Sequence, residues 1–194
     1  MMIKLGNISI SISIRMAAWR DIDFTVPNRR KPSGLVANAR NWARQAVQRG
    51  WKSEWQEFLA SEQTLALVFA DNDTVKKLNY DWRGKDKATN VLSFPADLPP
   101  VAGHQFHQNP PGMALHLGDV ILAYETVIAE AQAQHKSPAH HTAHLVIHGV
   151  LHLLGYDHET ERDANDMENL EISLLNYFGI GNPYLECDIM QYQD

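Results

Sequence analysis

His148, His152 and His158 stand in the run HGVLHLLGYDH, spaced H-x3-H-x5-H with Gly155 between the second and third histidines. Three imidazoles can close around one transition-metal ion and leave a coordination position open. That open position separates a catalytic metal site from a structural one. Residues four apart share a helix face, so His148 and His152 can grip one ion together. His158 cannot extend the stripe. Six residues on, an unbroken helix would carry it roughly 9 Å along the axis and about 120° around. Gly155 tolerates the left-handed conformation of a helix C-cap, so the helix can stop there. Tyr156 and Asp157 then form the turn that returns His158 to the ion. His140, His141 and His144 offer no equivalent set. Ligands at 140, 144 and 148 of a straight helix would span about 12 Å, too far for bonds of ~2.1 Å to one ion.

Two other chemistries compete for the same spacing. H-x3-H-x2-G-x2-H is also the ligand pattern of metzincin proteases, which carry a glutamate general base directly after the first histidine. Here that position is Gly149, so the base for peptide hydrolysis is missing. Met167 could pose as the Met-turn, but its spacing with Leu170, Leu174 and Leu175 is that of a core helix. The third reading is a non-catalytic, zinc-stabilised module. It needs a fourth protein ligand, for which Asp157, His144 and Cys187 are the candidates.

The elements that must position these groups are legible as patterns. Ile8–Ile14 alternates Ile and Ser and predicts a strand. A helix starting at Ser33 or Asn38 carries Ala39, Trp42, Ala43 and Val47 and ends at Gly50. Thr64–Phe69 predicts a buried strand, followed by a short helix capped by Asp71 or Asp73. Thr89–Phe94 and Leu115–Ala123 predict two more strands, and a helix runs from Tyr124 to about Gln134. Ser137-Pro138 opens the histidine helix, which should reach Leu154; a last helix covers 161–177 and stops at Gly179. The stretch 95–113 is rich in Pro, Gly, Gln and His and reads as an exposed loop in which His104 and His107 are solvated. The fold class implied is α+β in a single domain spanning 1–194. Residues 1–32 form an N-terminal strand and loop, and 180–194 an irregular tail.

Length and charge narrow the partners. A chain of 194 residues suffices for one domain with a real core. No apolar run approaches the ~20 residues of a membrane span, and the Ile/Ser start lacks the continuous apolar stretch of a signal peptide. The single cysteine, Cys187, excludes an intrachain disulfide and fits a reducing cytoplasm. A net charge of −6 argues against general coating of nucleic acid, including DNA, but leaves room for a local basic groove. Arg29-Arg30-Lys31 is one basic cluster; Lys76, Lys77, Arg83, Lys85 and Lys87 form a looser second one.

That second cluster lies in a segment containing Leu78-Asn79, Arg83, Asp86-Lys87, Thr89 and Val91-Leu92-Ser93-Phe94-Pro95. With Leu117-Gly118-Asp119-Val120 and the histidine run from His144 to His158, it resembles the YbeY family, metal-dependent endoribonucleases of bacterial ribosomal RNA maturation. The likeness covers about residues 64–178; Ala88 and Asn90 stand where the family often carries Pro and Asp. The resemblance implies a small mixed four-stranded sheet packed by about five helices, with the metal at the end of a core helix. It implies one zinc on His148, His152 and His158, although imidazole sites also accept other divalent transition metals. Arg83 matches the family's functional arginine and joins His148 in the catalytic set. The implied substrate is single-stranded RNA at the 3′ end of small-subunit (16S) rRNA, in rRNA maturation and ribosome quality control. The implied partners are the small ribosomal subunit and a ribosome-assembly GTPase. A guanidinium suits phosphate oxygens and charge in the transition state, and Lys85 and Lys87 would track the RNA backbone. Asp157 either orients a ligand histidine or serves as general base; a route through the substrate 2′-OH is the other source of a base.

Overall fold

The computed structural model describes residues 8–24, 34–51, 62–96 and 114–185. Four strands form one mixed sheet in the order β1-β2-β4-β3. They are β1 (Ile8–Ile14), β2 (Gln63–Ala70), β3 (Val91–Pro95) and β4 (Leu115–Ala123). β1, β2 and β4 are parallel, and β3 runs antiparallel to β4 along one edge. Among the described residues the helices are α1 (Leu35–Gly50), α2 (Asn72–Arg83), α3 (Tyr124–Ala133), α4 (Pro138–Leu153) and α5 (Glu161–Tyr177). The α+β class, the mixed four-stranded sheet and the five helices match the expectation. Ser33, His104, His107, Cys187 and Arg29-Arg30-Lys31 lie outside the described residues.

The strands sort their side chains by period two, as a sheet covered on both faces requires, with an extra residue between His116 and Asp119 shifting the phase of β4. Leu65, Leu67 and Phe69 of β2 and Leu117, Val120 and Leu122 of β4 enter the main core with α1, α4 and α5. Ala70, Leu92, Ile121 and Ala123 face the other way, into a smaller cluster with Val75 and Leu78 of α2. The histidine helix α4 is the centre of the main core. Leu145, Val146, Ile147, Val150, Leu151 and Leu153 are all buried. Met167 is buried too, as its helical spacing implied.

Three details depart from the sequence reading, the first being that α1 begins at Leu35 with Gly34 as its N-cap rather than at Asn38. β3 begins at Val91 rather than Thr89, because the Asn90 side chain accepts the Val91 N–H (2.7 Å) and donates to Glu130 (2.9 Å), turning the chain into the strand. A short 3-10 turn over Ala17–Arg20 has no periodic signature; it buries Trp19, whose indole N–H donates to the Ala70 carbonyl at 2.9 Å.

Candidate metal centre

The approach of α4 to the sheet sets the depth of the site. Gly149 lies against β4 and β3, where an added Cβ would come within 2.5 Å of Val120 Cγ1 and 3.1 Å of Ser93 Oγ. The Ser93 hydroxyl donates to the Gly149 carbonyl at 3.1 Å. Position 149 therefore faces the sheet, and a side chain there requires Val120 or the helix to shift. A glutamate base at this position has no room.

The end of α4 is built by Gly155. Its φ of +75° is the left-handed C-cap conformation. Tyr156 N–H donates to Leu151 O (3.1 Å) and Gly155 N–H to His152 O (3.0 Å), the paired bonds of a Schellman motif. The same turn orients a histidine, because His152 Nδ1 donates to the Tyr156 carbonyl at 2.9 Å. Asp157 Oδ1 accepts the His158 backbone N–H at 2.8 Å and so stiffens the returning segment. His148, His152 and His158 come together as expected, each with a ligand nitrogen within 4.8 Å of the others.

A residue with no chemical label in the sequence completes the arrangement. Glu171 of α5 is fully buried, and its Oε1 accepts from His148 Nδ1 at 2.8 Å. Its Oε2 accepts from His144 Nε2 at 3.0 Å and from the Tyr184 hydroxyl. Burial raises the Glu171 pKa, but the hydrogen bonds and charges of His144 and His148 outweigh it and hold the carboxyl at about 2. Burial, then the bond to Glu171, pushes the Tyr184 phenol up. The available signal was position: Glu171 falls on the buried stripe of Met167, Leu174 and Leu175, where a carboxylate must have partners.

These bonds fix the tautomers. A carboxylate and a carbonyl can only accept, so the Nδ1 atoms of His148 and His152 carry protons and their Nε2 atoms are left free to share a cation. The two Nε2 atoms lie 3.0 Å apart. Two ring nitrogens this close share a cation, either a proton or a metal ion. Tetrahedral coordination at 2.0–2.1 Å separates imidazole nitrogens by about 3.4 Å, so the pair is already near bonding geometry. A proton is the weaker substitute. Burial, followed by the charge of His148, lowers the His152 pKa below 6.5. The donor set fits a divalent metal ion. A second group, His144, His148 and Glu171, also satisfies ligand proximity, but its short contacts are the hydrogen bonds just described.

The three histidines open onto a cavity of about 520 Å³, also lined by Arg83, Asn90, Val91, Ser93, Pro95, Tyr156 and Asp157. Arg83 ends α2. Gly84 (φ +66°) terminates the helix, with its N–H on the Tyr80 carbonyl. The buried Asn79 donates to the Lys87 carbonyl at 2.8 Å, tying the loop back to α2. Arg83, Lys85 and Lys87 are exposed, and among the described residues they form no ion pair; Asp86 pairs with Lys76 at 3.3 Å. Arg83 reaches the cavity, whereas Lys85 and Lys87 lie on the adjoining loop and do not line it. Asp157 lines the cavity beside His158, and the carboxylate hydrogen-bonded to the His148 ring is that of Glu171.

Fold and site together define an α+β protein with a three-histidine metal-binding cluster beside an arginine in an open cavity. The family model for endoribonuclease YbeY matches residues 26–179, and the chain belongs to that family. An endoribonuclease YbeY of Paramagnetospirillum magneticum is 54% identical over 126 residues, covering 63% of this chain and 71% of the relative. One from Chelativorans sp. is 50% identical over 121 residues, covering 62% and 69%. A solution structure of TM1509 from Thermotoga maritima aligns with 89% of this chain and 91% of its own, at 18% identity and a TM-score of 0.48.

Proposed function

We propose that this chain is a metal-dependent endoribonuclease that cuts single-stranded RNA in ribosomal RNA maturation, at the 3′ end of small-subunit (16S) rRNA, and in ribosome quality control. The observation that carries the reading is the approach of His148 Nε2 and His152 Nε2 to 3.0 Å in the cavity that Arg83 lines. His148, His152 and His158 would hold one zinc ion, or another divalent transition metal, per chain. When bound, such an ion supplies Lewis acidity to a phosphoryl oxygen and to water. Glu171 and the Tyr156 carbonyl hold two of the imidazoles in the ligand tautomer. Arg83 binds the scissile phosphate through its planar fork and offsets the charge that grows in the transition state. Lys85 and Lys87 track the neighbouring phosphates. Family membership supports an RNA substrate, with the small ribosomal subunit and a ribosome-assembly GTPase as partners in the cytoplasm. No helix among the described residues is long and apolar enough to cross a membrane. One YbeY-like domain would span 1–194, with 1–32 as its N-terminal strand and loop, 95–113 as an exposed loop and 180–194 as an irregular tail; the family match at 26–179 supports the central part of that span.

The test is zinc-dependent cleavage of a single-stranded RNA oligonucleotide, with casein as the competing substrate. Wild type should cut RNA and leave casein intact. His152→Ala should lose zinc and activity together, and Arg83→Gln should keep zinc and lose activity. Casein cleavage without RNA cleavage, or full activity in Arg83→Gln, overturns the reading.

A further inference from the structure

Trp82 is out of place for its residue type. Trp19, Trp42 and Trp51 are buried at 0%, 1% and 6% exposure, whereas Trp82 is 72% exposed. Its ring meets Phe94 edge-on, with centroids 5.9 Å apart and planes at 62°. Phe94 stands in edge strand β3 and packs on the α2 side of the sheet, opposite Ser93, whereas Arg83, the next residue after Trp82, lines the cavity. The indole is thus held against the sheet edge by Phe94, is otherwise largely open to solvent, and is one residue from the cavity-lining Arg83.

We propose that Trp82 is a stacking platform for a nucleobase of the single-stranded RNA whose phosphate Arg83 holds, an inference that rests on the nuclease reading above. The surroundings select a nucleobase over an apolar protein surface. Arg83, Lys85 and Lys87 follow Trp82 closely in the chain and are exposed, without ion pairs among the described residues, so the segment joins one aromatic face to cations. Cations for the backbone and aromatic rings for the bases are the recurring parts of single-strand binding grooves. A protein-docking surface would call for a contiguous apolar patch instead. Stacking is tolerant of base identity, because every base has a π-face. The platform therefore selects unpaired strands rather than a sequence, since a base inside a duplex is already stacked.

The experiment measures binding and cleavage of a fluorescein-labelled single-stranded oligoadenylate, beside the same chain carrying abasic riboses. Loss of one base stack weakens binding on the order of 10-fold. Trp82→Ala and Trp82→Leu should both show that loss on oligoadenylate and a matching rise in KM, with kcat and zinc content unchanged. Trp82→Phe should recover most of it. The abasic chain should bind all four proteins alike. The slope of log K against log salt should stay at the wild-type value, because no phosphate contact is removed. Trp82→Leu keeps apolar bulk against Phe94 and guards against a folding defect in the alanine variant. The inference is overturned if Trp82→Leu binds oligoadenylate within twofold of wild type, or loses equal affinity for the abasic chain. Wild type that cuts RNA while these variants match it refutes the platform alone; wild type that neither binds nor cuts RNA refutes the nuclease reading and the platform together.

Discussion

Glu171→Gln separates charge from shape in the metal centre. The carboxylate accepts from His148 Nδ1 (2.8 Å), His144 Nε2 (3.0 Å) and the Tyr184 hydroxyl, and it is fully buried. Held at about 2, it is an acceptor only at neutral pH. The amide keeps the volume and one acceptor oxygen, but replaces the other oxygen with a donor and removes the negative charge. The bond to His148 then falls from a charge-assisted to a neutral one, roughly half as strong. His148 Nε2 becomes a poorer electron donor to the ion. Replacing a carboxylate behind a metal-bound histidine costs about 10- to 100-fold in metal affinity, or about 1.4–2.8 kcal/mol. The metal-free fold should change far less, since a buried charge is removed along with the bonds it made. Glu171→Ala should do worse on both counts: it strands three donors, at about 1–3 kcal/mol each where they are cut off from water. The assay is zinc competition against a chromogenic chelator, paired with thermal unfolding of the metal-free proteins. If Glu171→Gln held zinc within twofold of wild type while His152→Ala lost it, the claim that Glu171 tunes the ligand would be refuted.

Three further outcomes follow from the same geometry. Gly149→Ala places a Cβ at 2.5 Å from Val120 Cγ1, so it should cost about 1–3 kcal/mol in denaturant unfolding and lower zinc affinity by displacing α4; an unchanged midpoint would show that the helix has slack. Asn90→Asp replaces the donor that meets Glu130 at 2.9 Å with a second carboxylate, and should lower the Tm; Asn90→Asp combined with Glu130→Gln should recover it, and failure to recover would mean that the pair is not the cause. Burial lowers His140 and His141 below their ordinary 6.5, in His141 against the opposing hydrogen bond to Glu130. The unfolded chain then binds more protons below 6.5, so the metal-free protein should lose stability as pH falls from about 7 through that value. Glu171 has the depressed carboxyl, so its contribution is fully present above 4.5 and is lost only as pH falls toward about 2. Thermal unfolding of metal-free protein at pH 7.5, 5.5 and 3.5 should thus show two separate declines, and a flat Tm between the first two would count against the histidine contribution.

What the sequence disclosed, and what it hid, divides along physical lines. Periodicity places α4 and α5, and Leu115–Ala123 emerges as β4 with the bounds that its apolar run suggests. The meeting of His148, His152 and His158 was legible because covalent spacing and one glycine confine it; the Schellman turn at Gly155 does what a glycine there permits. Glu171 was not, because its function depends on α5 crossing behind α4, and local pattern does not encode that crossing. Trp19 escaped for the same reason: its partner, the Ala70 carbonyl, lies 51 residues away. Gly149 shows the boundary most clearly. As a letter it meant only that a protease base was missing. In the fold its lack of a side chain lets α4 close on Val120 and Ser93, and that approach sets His148 over the β3 edge, in the cavity that Arg83 enters from α2. The residue that removes the general base of a protease is therefore the one that brings the histidines and the arginine into a single cavity, so the missing base and the available cation are two results of one packing constraint.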